Sequence, residues 1–164
     1  MKKLTLPLAC VAALAMPLAA QNMGSVNRDA PTCEQAIKFH TGAEMELSYK
    51  ALAWAQGRFM ERIKEEGFRN FVNKNAKENP VGKLALSHGM TIGGKEVAKG
   101  KYGVHFLATD SGGWQFVLSH AAGDGDTKLI AWDLDLAETK MQRQRLTIVV
   151  GAGAEVTECD IGFH

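Results

Sequence analysis

Five histidines, His40, His88, His105, His120 and His164, are the residues of this chain that most directly invite metal chemistry. Zinc and similar ions take three or four ligands whose spacing lets the side chains converge. No two of these histidines stand at the i, i+2 or i, i+4 spacing that places two imidazoles on one face. His88, His105 and His120 fall in strand-like stretches, where adjacent strands could bring them together, and are the candidate ligands of a metal-assisted enzyme. Scattered in this way, they read first as partly buried polar residues. Asp124, Asp126, Asp133 and Asp135 raise a calcium reading, but the D-x-[DN]-x-[DN]-G order and its closing glutamate are missing. No G-x-S-x-G elbow is present, and nothing in the sequence pairs two carboxylates across a sugar cleft. Among the aromatic residues, Trp114 and Trp132 share parity with apolar strand positions, whereas Trp54 lies off the strand pattern. Trp54 is therefore the aromatic expected to be exposed and available to a ligand.

The elements that must position these residues are mostly strands. Met45, Leu47, Tyr49 and Ala51 alternate with polar neighbours, the mark of a half-buried strand. Similar alternation covers Leu84 to Ile92, Tyr102 to Ala108, Trp114 to Leu118, Ile130 to Leu136, Leu146 to Val150 and Val156 to Phe163. Turns separate them at Gly93-Gly94, Asp110 to Gly113, Gly123 to Asp126 and Gly151 to Gly153. Residues 54–78 instead repeat apolar side chains at three- and four-residue steps, which predicts an amphipathic helix, or two short ones if Gly67 interrupts it. Asn79-Pro80 ends it. Short strands at this spacing without a βαβ rhythm predict an antiparallel β-sandwich or jelly-roll-like barrel, with one or two short helices between the early strands.

The first residues read as a cleavable secretory signal. Met1-Lys2-Lys3 is cationic, Leu4 to Leu18 is apolar, and small residues lead to a cut after Ala20. The apolar run is too short for a membrane span, and no second long apolar segment follows. Pro7-Leu8-Ala9-Cys10 suits a lipoprotein anchor poorly. The expected organisation is a signal peptide over 1–20, a leader over 21–43 and one β-rich domain over 44–164, exported to the periplasm or secreted. Residues 1–20 hold two of the 19 basic residues and none of the 18 acidic ones, so the mature chain would carry a net charge of −1. That balance argues against nucleic acid, whose binding rests on phosphate neutralisation. Cleavage would also leave Cys33 and Cys159, which an oxidising compartment would favour as a disulfide over two separate thiols.

The stretch Leu84-Ala85-Leu86, Met90-Thr91-Ile92-Gly93-Gly94-Lys95, Gly100-Lys101-Tyr102-Gly103-Val104 and Trp114-Gln115-Phe116-Val117-Leu118 resembles an exported bacterial family known as domain of unknown function 2911. Glu46 to Lys50 is similar to that family's early strand, and the resemblance extends over about residues 44–163. It implies export and a β-rich domain, and no reaction. The family's polar W-R-x-G-A-N-E segment is not recognisable here. Arg69 alone matches its arginine, which marks Arg69 as a second candidate ligand-binding residue beside Trp54. With no convergent catalytic motif, the sequence favours a non-catalytic module that binds a small ligand, a glycan or an envelope protein. A metal-assisted enzyme or a purely structural envelope protein is the alternative, and no cofactor is indicated.

Overall fold

A computed structural model describes residues 30–52, 58–121, 127–135, 145–152 and 157–163. The expected signal segment lies outside them. The alternating stretches form ten strands: β1 (Thr32–Lys38), β2 (Glu44–Lys50), β3 (Gly82–Leu86), β4 (Met90–Ile92), β5 (Lys95–Val97), β6 (Gly100–Ala108), β7 (Trp114–Ala121), β8 (Thr127–Leu134), β9 (Leu146–Ala152) and β10 (Thr157–Phe163). Two helices, α1 (Arg58–Arg62) and α2 (Glu66–Glu78), lie between β2 and β3. The strands make an antiparallel six-stranded sheet in the order β1-β2-β3-β6-β7-β8, and a smaller sheet in the order β5-β4-β10-β9. In the smaller sheet, β10 runs parallel to β4 and antiparallel to β9. This is the mainly β, sandwich-like architecture that the alternation predicts.

The period of two puts one face of the large sheet into the core. Leu47, Tyr49, Leu84, Tyr102, Val104, Phe106, Trp114, Phe116 and Leu118 are buried there, together with Ile92, Val97, Leu146 and Ile148 of the smaller sheet. Polar contacts tie the two sheets. The Trp132 indole N–H donates to the carbonyls of Ile92 (3.0 Å) and Gly93 (3.2 Å) at the β4–β5 turn. Gly93 and Gly94 both have positive φ there, as a two-residue hairpin turn of mirror type requires. A Cβ on Gly93 would stand 2.8 Å from the indole nitrogen. On the other side, Ile148 of β9 donates its N–H to the Tyr49 hydroxyl at 3.0 Å and accepts a hydrogen bond from the Gln35 side-chain amide. Side chains of β1 and β2 thus cap a free edge of the smaller sheet.

Two expectations change. Residues 32–38, taken with the leader, form β1 and pair with β2 over their whole length. The single run Leu84 to Ile92 is two strands in different sheets. Ser87 donates its N–H to the Glu44 carbonyl and its hydroxyl accepts from the Glu44 N–H, which ends β3 against β2 before the chain crosses over. The helical region takes the two-helix form expected as an alternative, with the break at residues 63–65 and Gly67 in the first turn of the second helix. The turn at 123–126 falls outside the described residues.

Helix α2 takes the place of a strand. β3 pairs with β6 only from Gly100 to Val104, so among the described residues no strand lies beside the last residues of β6 on that edge. Asn73 of α2 fills the gap: its amide donates to the Ala108 carbonyl (2.9 Å) and its carbonyl accepts from the Ala108 N–H (2.8 Å). The helix also covers part of the outer face, where Ala76 packs with Leu107 and Val117. No described helix is long and apolar enough to cross a membrane.

The chain has two tyrosines, Tyr49 and Tyr102, and both are buried. Burial pushes both phenols above their usual value near 10; at Tyr49 the Ile148 N–H opposes the shift and the neighbouring Cys33 thiol adds to it. A phenol raised on folding contributes stability that is present below pH 10 and is lost as pH climbs through the folded value. The expected result is that near-ultraviolet absorbance shows less phenolate at pH 10 in the folded protein than in the unfolded chain. Both residues should ionise only at higher pH, with falling stability; ordinary phenol titration in the native state would contradict this packing.

Candidate functional site

Two hollows meet on the outer face of the six-stranded sheet. The larger is a trough of about 970 Å³ running across β1, β2, β3, β6 and β7. Its floor is made of small residues at outward positions: Ala36, Ser48, Ala85 and Gly103. Register places its charges in order. Glu46 of β2 stands opposite Ala85 of β3, which stands opposite Lys101 of β6. In the next row, Ser48 faces Lys83, Lys83 faces Gly103, and Gly103 faces Ser119. Acidic Glu34 and Glu46 therefore line one half, and basic Lys83 and Lys101 the other. None of the four is ion-paired with another described residue; the described ion pairs are Lys38–Glu44 and Arg69–Asp110. The Lys38–Glu44 contact, at 2.9 Å between two exposed strand ends, holds the Glu44 carboxyl below and the Lys38 ammonium above their usual values.

The smaller hollow, about 340 Å³, opens beside the C-terminal end of α2 and shares Ser119 and Thr127 with the trough. His105 lies in it, 4% exposed. Its Nδ1 is 2.7 Å from the Ala76 carbonyl oxygen and its Nε2 is 2.7 Å from Ser119 Oγ. Ala76 belongs to the last turn of α2, where carbonyls lack a partner within the helix. A carbonyl can only accept, so Nδ1 carries the hydrogen, and in the neutral ring Nε2 is left as the acceptor of the Ser119 hydroxyl. Gly103 makes room for this pair: a Cβ there would lie 2.7 Å from Ser119 Oγ and 2.8 Å from His105 Nε2.

The structure does not bring the three candidate metal ligands together. His88 is exposed in the β3–β4 connection, with Nδ1 2.9 Å from the Ser87 hydroxyl. His105 and His120 point to opposite faces of the large sheet, because their strands pair with an odd offset between them. His120 sits on the core side, its ring 4.9 Å from that of Tyr102 and its Nδ1 3.0 Å from the Lys101 carbonyl. Among the described residues no three His, Cys, Asp or Glu side chains gather to hold a metal ion.

The other candidates separate as well. Arg69 is buried rather than available to a ligand. It donates to the Lys64 carbonyl (3.1 Å), bracing the break between the helices, and pairs with Asp110 (3.1 Å) in the β6–β7 turn. Trp54 lies outside the described residues. Cys33, the expected partner of Cys159, is half-buried on β1 with its thiol beside the Tyr49 hydroxyl. The Cys159 side chain lies outside the described residues. Asp133, on the outer face, accepts from the Gln115 amide at 2.8 Å.

Sequence reasoning missed Glu46, Lys83, Lys101, Gly103 and Ser119. A signal for the last was present. With the Asp110–Gly113 turn closing β6 on β7, Gly103 faces Ser119 and His105 faces Val117, which makes Ser119 a diagonal same-face neighbour of His105. In comparisons with known proteins, no family model, no curated protein and no solved structure matches the chain.

Proposed function

We propose that this protein is an exported binding module whose outer-sheet trough holds a small dipolar ligand, such as a short peptide with free termini. One observation carries this reading: carboxylates and ammoniums with no ion-pair partner among the described residues line opposite halves of a trough floored by small side chains. Glu46 and Lys101 are separated by one intervening strand, hence by about 10 Å between backbones. Three extended residues span about the same distance, so the ammonium of a tripeptide reaches the acidic half as its carboxylate reaches the basic half. The trough has the size of a small-ligand site, and its charges are exposed, so binding should weaken as salt screens them. Export is proposed on the cationic, apolar and small-residue order of residues 1–20. Kinship with domain of unknown function 2911 is proposed on the Ile92-Gly93-Gly94-Lys95 hairpin and the strand after it.

A thermal-shift titration with trialanine tests the proposal. The uncapped peptide is expected to raise the melting temperature, since a ligand selective for the folded state stabilises it by mass action. The acetylated, amidated peptide should shift it far less. Ala85→Phe, which fills the floor and leaves every charge in place, should abolish the shift. Equal shifts from capped and uncapped peptide, or an unaffected Ala85→Phe variant, would rule the proposal out.

A further inference from the structure

We propose that Ser119 and His105 form a nucleophilic pair that accepts acyl groups from small esters, with Ser119 Oγ as the attacking atom. The inference stands on the pair and its own hollow and does not require the trough to bind peptide. Three features argue for it.

The first is polarity. The Ala76 carbonyl fixes the hydrogen on Nδ1, so Nε2 faces the Ser119 hydroxyl as a base, at 2.7 Å. Nucleophile, base and an acceptor that orients the base make up the arrangement that activates a serine. Here a helix-terminal carbonyl stands where a carboxylate often does. The carbonyl end of α2 also faces the ring on which positive charge develops during attack.

The second feature is access. His105 is buried, but Ser119 is only half-buried and lines both hollows. Gly103 keeps the space over the pair open, since any Cβ there would collide with both functional atoms.

The third is the lining. Leu107, Val117 and Leu129 give the smaller hollow apolar walls, and Lys77 brings a cation to it. Leu129, directly opposite Ser119 in the register, is 50% exposed, one of two large apolar residues in the described structure left so open. Apolar walls suit a short acyl chain, and a cation suits the oxyanion formed on attack.

The chemistry balances without a cofactor. Ser119 Oγ bonds to the ester carbonyl carbon while its proton passes to His105 Nε2. The tetrahedral intermediate then expels the alcohol, which leaves with that proton, and Ser119 is acylated. Water attacks the acyl-serine by the same route in reverse, giving the carboxylic acid and restoring the pair.

The test uses the folded protein with a fluorophosphonate probe, which forms an Oγ–P bond with loss of fluoride, and with p-nitrophenyl acetate as substrate. Intact mass is expected to show one adduct per chain, mapped to Ser119. Ser119→Ala should show none. His105→Gln should label at least 100-fold more slowly, within the range lost with a general base. Gly103→Ala keeps both residues but separates them, and should lose labelling and ester turnover together. Melting curves establish that each variant is folded, and a His105→Asn variant replaces His105→Gln if the latter is not. Wild-type protein without an adduct at Ser119, or a folded His105 variant that labels at the wild-type rate, would overturn the proposal. A protein that labels at Ser119 but binds no peptide would remove the trough reading alone.

Discussion

Trp114→Ala is expected to lower stability by about 3–5 kcal/mol, the usual cost of emptying a buried aromatic site. Trp114 opens β7, is 2% exposed, and is flanked in the sheet by Ala108 and Leu134. Its ring stacks at 6.3 Å on Phe59 of α1, which in turn meets Phe68 of α2 edge-on at 5.5 Å. The indole is therefore the point at which the large sheet, its turn and both helices converge. Against a total stability of about 5–15 kcal/mol for a domain, this is the largest single loss expected. Urea unfolding followed by circular dichroism would measure it. A change below about 1 kcal/mol would show that the helices are not anchored there.

Asn73→Ala is the second large effect, and it has a different cause. The side chain leaves little volume behind, but its loss strands the N–H and C=O of buried Ala108 together. Each unsatisfied buried group costs about 1–3 kcal/mol. Asn73→Asp provides the control. It keeps an acceptor for the Ala108 N–H and sets an anionic oxygen against the Ala108 carbonyl, so it should not rescue stability. Hydrogen exchange adds a local readout: the Ala108 amide should lose protection in Asn73→Ala well before the amides of Val104 and Leu118 do. Retained protection at Ala108 would mean that α2 does not stand in for a strand.

How far the fold was legible follows from what period-two reading can and cannot see. Strands β2, β6 and β7 announce themselves because large apolar residues alternate with polar ones and one face is dry. β1 does not, since its inward positions are Cys33, Gln35 and Ile37, of which only isoleucine is strongly apolar. The join between β3 and β4 is hidden for another reason. Leu84, Leu86, Met90 and Ile92 keep the same parity across the Ser87–Gly89 crossing, so the pattern runs on although the sheet changes. Hydrogen bonds to Glu44 end β3, and those are long-range contacts that no local pattern encodes.

The site was less legible than the fold. His105 stood out as the histidine opposite its strand's apolar face, and that orientation holds: it points away from the core side shared by Val104 and Phe106. Its partners do not show within its own strand. Ser119 is 14 residues away and meets it only through the register of β6 on β7, while the Ala76 carbonyl comes from a helix 29 residues earlier. The trough is harder still, because its polar and small residues are ordinary outward strand positions until five strands are laid side by side. Arg69 misled for the opposite reason: a cation in a polar segment looks available, yet a helix break and an acidic turn consume it.

Amide NMR of uniformly labelled protein titrated with trialanine tests the central claim most directly. The largest shifts are expected at Glu46, Lys83, Ala85, Lys101 and Gly103, and they should shrink as salt is raised. Shifts concentrated instead at the Gly93–Gly94 turn and along the smaller sheet, with the outer face of the large sheet unchanged, would contradict it.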